Sequence, residues 1–318
     1  MIELLPGLYR IETALGDNLL ALYLIRGERT LLIDSGVRDT PDTVIFPALA
    51  QAGLPPHIDM LLVSHADADH HGGNAAVRAR VPGTTIMAHE LDRPRIESKA
   101  AHLAGRYTNA VATDDLSYAP ELLSWLDLMI GADTPIDLGL RGGETIRLDE
   151  RVRWHVLHAA GHSAGHLALW EPGARVLIAQ DAVLWHGVPD RAGQLPSPPP
   201  YDDLDSYLAT LRRLRMLNPE WLLTAHYPII RGAEVDTFFA QSLAFVEQVD
   251  AIILDTLRAA SQPLTLSDIV AVLDAQLGPF AVAIQWVGPA LAHLKRHVDA
   301  GQLALHRGGE ARAWVAVQ

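Results

Sequence analysis

Ser64-His65-Ala66-Asp67-Ala68-Asp69-His70-His71-Gly72-Gly73 places four potential metal ligands, His65, Asp67, Asp69 and His70, within six residues. The glycines that follow let the backbone turn tightly enough to aim several side chains at one point. A polar loop capping the next helix would account for one aspartate, but not for alternating ligands followed by a histidine. The chain contains no cysteine, so any metal must be held by nitrogen and oxygen, and disulfides, iron–sulfur clusters and a thiolate nucleophile are excluded.

The elements that must position this cluster follow from hydrophobic patterning. Leu19 to Ile25 and Thr30 to Ile33 read as buried strands joined by a polar turn, and Met60 to Val63 is a buried strand that delivers His65 at its tip. Helical stretches are expected near residues 41–53 and 74–80, and a strand over Thr84 to Ala88. Residues 90–135 lose strand character and read as a mostly helical insertion carrying Tyr107, Tyr118, Trp125 and Met129. Strands resume near residues 144–148, 152–157, 166–170 and 176–179, and the strand at 221–224, after an amphipathic helix near 204–217, ends at His226.

Three further motifs follow in order: Gly161-His162-Ser163-Ala164-Gly165-His166, Gln180-Asp181 and Ala225-His226. Together with the first, they resemble the metallo-β-lactamase superfamily, whose signature is His-x-His-x-Asp-His followed by Gly-Gly, with further ligands on three later loops. The resemblance covers roughly residues 1–235 and implies an α/β fold, a four-layer αββα sandwich with its metal centre at one edge between the sheets. It implies two divalent metal ions, zinc foremost: one held by His65, residue 67 and His162, the other by Asp69, His70 and His226, with Asp181 bridging. Asp34 matches an aspartate that supports the ligands from behind, and His166 is expected in a similar supporting role through a structural hydrogen bond. His71 falls at a variable position, expected to be exposed or to lie behind the ligands.

One position departs from the signature: Asp67 stands where its second histidine belongs. Three aspartates and a hydroxide would cancel the four charges of two divalent ions, giving a weaker Lewis acid and shifting preference from zinc towards iron or manganese. A flavodiiron-like redox centre, which has a glutamate at this position, is one alternative; no flavodoxin-like segment accompanies it here. The main expectation is hydrolysis of a small carboxylic ester, thioester or lactone by a metal-bound hydroxide, with Asp69 and Asp181 as the catalytic carboxylates. Leu184 replaces the tyrosine that lactonases of this family carry three residues after the bridging aspartate, leaving Tyr107 or Tyr201 to substitute. Tyr107, Trp185 and His186 are the candidates for substrate contact.

After about residue 235 the pattern changes to helices near 235–260, 266–276 and 287–300, then a hairpin over Leu303 to Val317 turning at Gly308-Gly309. Residues 236–318 thus outline a small winged-helix-like α+β domain, which invites an endoribonuclease as a second alternative. A net charge of −13 opposes nucleic-acid binding, and the third helix offers only Lys295 and Arg296 among its histidines. The start Met1-Ile2-Glu3-Leu4-Leu5-Pro6-Gly7 lacks the basic, apolar character of a signal peptide, and Leu19 to Ile25 is far short of the roughly 20 residues of a spanning helix. A cytoplasmic enzyme with a small-molecule substrate and no membrane association is expected, with a homodimer allowed.

Overall fold

The computed structural model describes residues 1–108, 111–306 and 311–317. Two sheets face each other. The first has seven strands in sequence order, Ile2–Leu5, Leu8–Leu15, Asn18–Arg26, Thr30–Ile33, Met60–Leu62, Thr85–His89 and Leu138–Leu140. Its first four strands pair antiparallel and the rest parallel. The second runs Ile230–Arg231, Trp221–Leu223, Val176–Ile178, Leu167–Glu171, Arg153–His158 and Thr145–Arg147, with one parallel pair between Val176–Ile178 and Trp221–Leu223.

Side-chain alternation explains the layering. Leu31 and Ile33 enter the core between the sheets with Leu62, Trp154, Val156, Leu169 and Ile178, whereas Leu32 points to the opposite face, against Phe46, Leu49 and Val77. The outer face of the second sheet, with Leu177 and Leu222, is covered by Leu204–Met216 through Tyr207, Leu211 and Leu214. Buried on both faces, these strands read as continuous apolar runs.

The strand Leu8–Leu15 escapes sequence reading because Arg10 interrupts its apolar face. Arg10 is fully buried, bonded to the Tyr227 carbonyl at 2.7 Å and paired with Glu12 at 2.9 Å. The insertion is helical, with Arg93–Glu97, Lys99–Leu103, a wide turn Ala104–Thr108 and Pro120–Met129.

The helix Ala233–Ala259 runs unbroken through the expected boundary at 235/236. Its length and composition would let it cross a bilayer, but here Val235 and Phe239 join the sandwich and Phe245, Val249, Ile253 and Leu257 join a second core. That core unites the insertion, through Tyr107, Tyr118, Leu126 and Met129, with Leu273, Trp286, Leu294 and Trp314 of the tail. The tail adds Leu266–Leu277, Val287–Asp299 and an antiparallel sheet in which Ala313–Ala316 pairs with Leu303–His306 and with an unforeseen short strand, Leu264–Thr265. The expected turn at Gly308-Gly309 lies outside the described residues.

Candidate metal centre

Each cluster residue sits just past a strand end on the shared edge of the two sheets. Met60–Leu62 leads to His65, and the short helix Ala68–His71 presents Asp69 and His70. Asp67 occupies the N-cap position of that helix, yet its side chain makes no capping bond; it is free for another task. Gly161 adopts a positive φ of 135°, and a Cβ there would lie 2.3 Å from Tyr207 Cα, so only glycine lets the His162 loop lie against the helix. Asp181 follows Val176–Ile178 and His226 follows Trp221–Leu223.

The structure brings the seven residues together in overlapping groups: His65 with Asp67 and His162, His65 with His70 and Asp181, and Asp69 with His70 and His226. Asp67 Oδ2 lies 3.0 Å from His162 Nε2 and 3.7 Å from His65 Nε2. The Asp181 carboxylate stands between the halves, with Oδ2 3.2, 3.5 and 3.9 Å from the Nε2 atoms of His226, His70 and His65. Asp69 Oδ2 is 3.5 Å from both His70 and His226.

The outward-facing nitrogens are all engaged. Nδ1 of His162 donates to the Pro200 carbonyl at 2.7 Å, of His226 to the Leu19 carbonyl at 2.8 Å, of His70 to Asp34 at 2.8 Å and of His65 to Ser64 Oγ at 3.0 Å. These bonds fix each ring and turn Nε2 inward, that of His162 onto Asp67 and that of His226 onto Asp181. His65 Nε2, His70 Nε2 and Asp181 Oδ1 are buried with no hydrogen-bond partner. Buried polar atoms are rarely left so, and a divalent cation at their convergence would satisfy them. The residues present therefore fit a metal.

The electrostatics agree. Burial pushes the Asp181 carboxyl up, but His226 and His70 more than offset it and hold it well below the usual carboxylate range. Burial works against a charged His226 too, yet Asp181 and Asp69 together outweigh it and raise the imidazole to about 9. Asp69, by contrast, is pushed up by burial. Against burial, the carboxylates likewise hold His70 and His162 above the ordinary imidazole value, whereas burial and the neighbouring His70 hold His65 well below it.

Asp34 does more than support one ligand: it also accepts from Ser64 N at 2.6 Å, Ser64 Oγ at 2.8 Å and Gln180 Nε2. His166 departs from expectation, since neither ring nitrogen has a hydrogen-bond partner and the ring stacks on His65 at 4.7 Å. His71 is buried rather than exposed, its Nε2 3.5 Å from His102 Nδ1.

Two functional residues carried no sequence signal. Arg106, from the insertion, reaches Asp67 with Nε to Oδ1 at 3.2 Å and a second nitrogen to Oδ2 at 3.3 Å, and also pairs with Asp202. Asp92 is fully buried and accepts from Ala66 N, Gly165 N and Ser163 Oγ, tying the His65 loop to the His162 loop.

A cavity of about 310 Å³ opens over the centre, walled by Tyr107, Leu122, Trp125, Leu126 and Met129 of the insertion and by Val282 and Gln285 of the tail. Trp185 and His186 are not part of its wall: Trp185 Nε1 donates to Gln241, and the His186 ring is sandwiched between Trp185 and Phe245. Tyr201 is also away from it, fully buried with its hydroxyl 2.9 Å from His293 Nε2. A larger cavity of about 490 Å³ lies between insertion and tail and shares Arg106, Pro200 and Gln285 with the first.

Residues 20–226 match the family model described as the metallo-beta-lactamase superfamily. Among curated relatives, the chain is 26% identical over 208 residues to a probable metallo-hydrolase, YflN, of Bacillus subtilis, covering 62% of this chain and 74% of that one. It is 22% identical over 226 residues to a beta-lactamase-like protein 2 homolog of Caenorhabditis elegans, of which the matched region spans 59%. Among solved structures, a metallo-beta-lactamase family protein from Thermus thermophilus superposes with a TM-score of 0.78 at 23% identity, over 99% of this chain and 100% of that one. A beta-lactamase domain protein from Burkholderia ambifaria gives 0.73 at 23% identity, over 99% and 94%.

Proposed function

The chain belongs to the metallo-β-lactamase superfamily, and from that premise we propose that it is a metal-dependent hydrolase of a small, uncharged carboxylic ester, thioester or lactone. The observation that carries this reading is the pairing of inward-turned imidazoles and carboxylates with a largely apolar cavity. Among the described residues of its wall the only cationic side chain of Lys or Arg type is Arg106, already committed to Asp67 and Asp202. An acyl group fits such a wall; beyond the metal ions themselves, a phosphate or sulfate would find no free Lys or Arg among its described residues.

Two divalent ions, zinc foremost, would be held by His65, Asp67 and His162 and by Asp69, His70 and His226, with Asp181 between them; when bound they supply Lewis acidity and an acidified water. The protein's own share is orientation. The Nδ1 bonds of His162 and His226 lock their rings, Asp181 stands between the two halves, Asp69 is placed to accept a proton at the cavity floor, and the insertion walls the cavity above it. Tyr107, which lines the cavity, keeps its phenol protonated at neutral pH and is placed as a donor to a substrate carbonyl oxygen.

The tail reads as a winged-helix-like module beyond about residue 235, from its three helices and antiparallel sheet. An RNA-binding role gains no support from it: Lys295 pairs with Asp299, and Arg296 lies 3.5 Å from Asp205.

The test is metal analysis of protein purified without added metal, joined to assays on aryl esters, thioesters and lactones. Asp181→Ala should lower metal content and cut turnover by at least about 100-fold, since even outer-shell changes cost 10- to 100-fold. Full activity in that variant refutes the assignment. Iron in place of zinc with no hydrolysis of any panel member would favour the redox alternative.

A further inference from the structure

A second cluster of metal-ligating side chains lies in the tail, away from the cavity over the centre. Asp250 projects from Ala233–Ala259, and His293 and His297 lie one turn apart on Val287–Asp299, so both imidazoles share a helix face. Asp250 Oδ1 is 2.7 Å from His293 Nδ1 and 3.1 Å from His297 Nε2, and all three ligand atoms lie within 4.8 Å of one another. Bonds of about 2.0–2.1 Å in a tetrahedral zinc site set neighbouring ligand atoms roughly 3.3 Å apart, so small side-chain shifts would complete the set.

Two observations separate this group from an ordinary ion pair. First, His297 Nε2 is buried 3.1 Å from the carboxylate oxygen without the alignment of a full hydrogen bond. Second, each imidazole's other nitrogen is already engaged: His293 Nε2 lies 2.9 Å from the Tyr201 hydroxyl and His297 Nδ1 lies 2.7 Å from Gln302 Oε1. Metal-bound histidines characteristically spend the second ring nitrogen in this way, which fixes the tautomer and orients the ligating one. The Asp250 side chain is 31% exposed, leaving a path for the ion and a position for water.

We propose that Asp250, His293 and His297 form a further divalent-metal site, of zinc type, that clamps Ala233–Ala259 to Val287–Asp299. Two nitrogens, one carboxylate oxygen and a water suit zinc better than calcium or magnesium, which take oxygen ligands. The clamp reaches the main centre through one short connection. Tyr201 bonds His293, and the neighbouring Pro200 carbonyl holds His162.

The test strips the whole 318-residue chain with chelator, titrates it with zinc alone, and counts ions per chain after gel filtration. His297→Gln and Asp250→Asn, neither of which touches the main centre, should each bind one zinc fewer than the unsubstituted protein while keeping its circular dichroism. Equal zinc content in the unsubstituted protein and in a folded variant overturns the site. Should both variants misfold, anomalous scattering at the zinc edge from crystals of the unsubstituted protein decides: a peak beside His293 Nδ1 supports the site, and its absence overturns it.

Discussion

Replacing Arg106 by methionine would remove the cation that holds Asp67 in place. The Arg106 side chain is only 9% exposed and makes two contacts with the Asp67 carboxylate, at 3.2 and 3.3 Å. At that separation an effective dielectric of about 20 gives an attraction near 5 kcal/mol. Asp67 is 18% exposed, and water entering the gap would recover part of it. Asp202, at 38% exposed, can turn to solvent and adds little. Breaking a buried pair costs about 3–5 kcal/mol, so Arg106→Met should cost about 3 kcal/mol. The assay is urea unfolding of metal-stripped protein at pH 7, in a double-mutant cycle with Asp67→Asn, for which a coupling of about 2–3 kcal/mol is expected. A coupling below about 0.5 kcal/mol would show that His162, not Arg106, positions Asp67, and would refute the reasoning.

Asp92→Ala should be more damaging than its distance from the ligands suggests, because it orphans Ala66 N, Gly165 N and Ser163 Oγ together. At about 1–3 kcal/mol for each orphaned group, a total near 4 kcal/mol is expected in urea unfolding, with loss of bound metal as the two loops separate; a cost under about 1 kcal/mol would mean that the loops are held elsewhere. His102 gives a pH prediction. Burial lowers its imidazole to about 4, whereas an unfolded histidine titrates near 6.5. The folded form thus resists a proton that the unfolded chain accepts, so this contribution to stability is intact above pH 6.5 and declines as pH falls towards 4. Between pH 6.5 and 5 the loss is about 2 kcal/mol at 1.36 kcal/mol per unit, and His102→Asn should remove it, which urea midpoints at pH 7 and 5 would reveal; an unchanged difference would place the acid sensitivity in other groups.

What was legible in the sequence was whatever depends on neighbours along the chain. His65, Asp67, Asp69 and His70 are crowded into one turn, and the strands that deliver them are apolar because both faces are buried. Arg106 was illegible because its partner Asp67 lies 39 residues away, and nothing in Ala104–Thr108 marks which side chain turns inward. Asp92 was illegible for the same reason, its partners lying at 66, 163 and 165. Trp185 and His186 show the converse error. They follow Asp181 closely, but Val183 and Leu184 are fully buried, so the chain runs inward after the bend and the next two rings meet Gln241 and Phe245 instead. Proximity in sequence fixes position only while the intervening backbone keeps its direction.

The shared core of insertion and tail changes what can be regarded as the catalytic unit. Tyr107, Leu126 and Met129 line the cavity over the centre, and the same residues are buried among Phe245, Trp286 and Leu294 of the tail. Val282 and Gln285 close the cavity from the tail side. Side chains that shape a substrate must be held by packing of their own, and here that packing is supplied from beyond residue 235. The sandwich carries the clustered histidines and aspartates, but much of the wall above them is built jointly by two segments more than 100 residues apart in the chain. A substitution in the tail can therefore reshape the cavity without a change at any of the seven clustered residues.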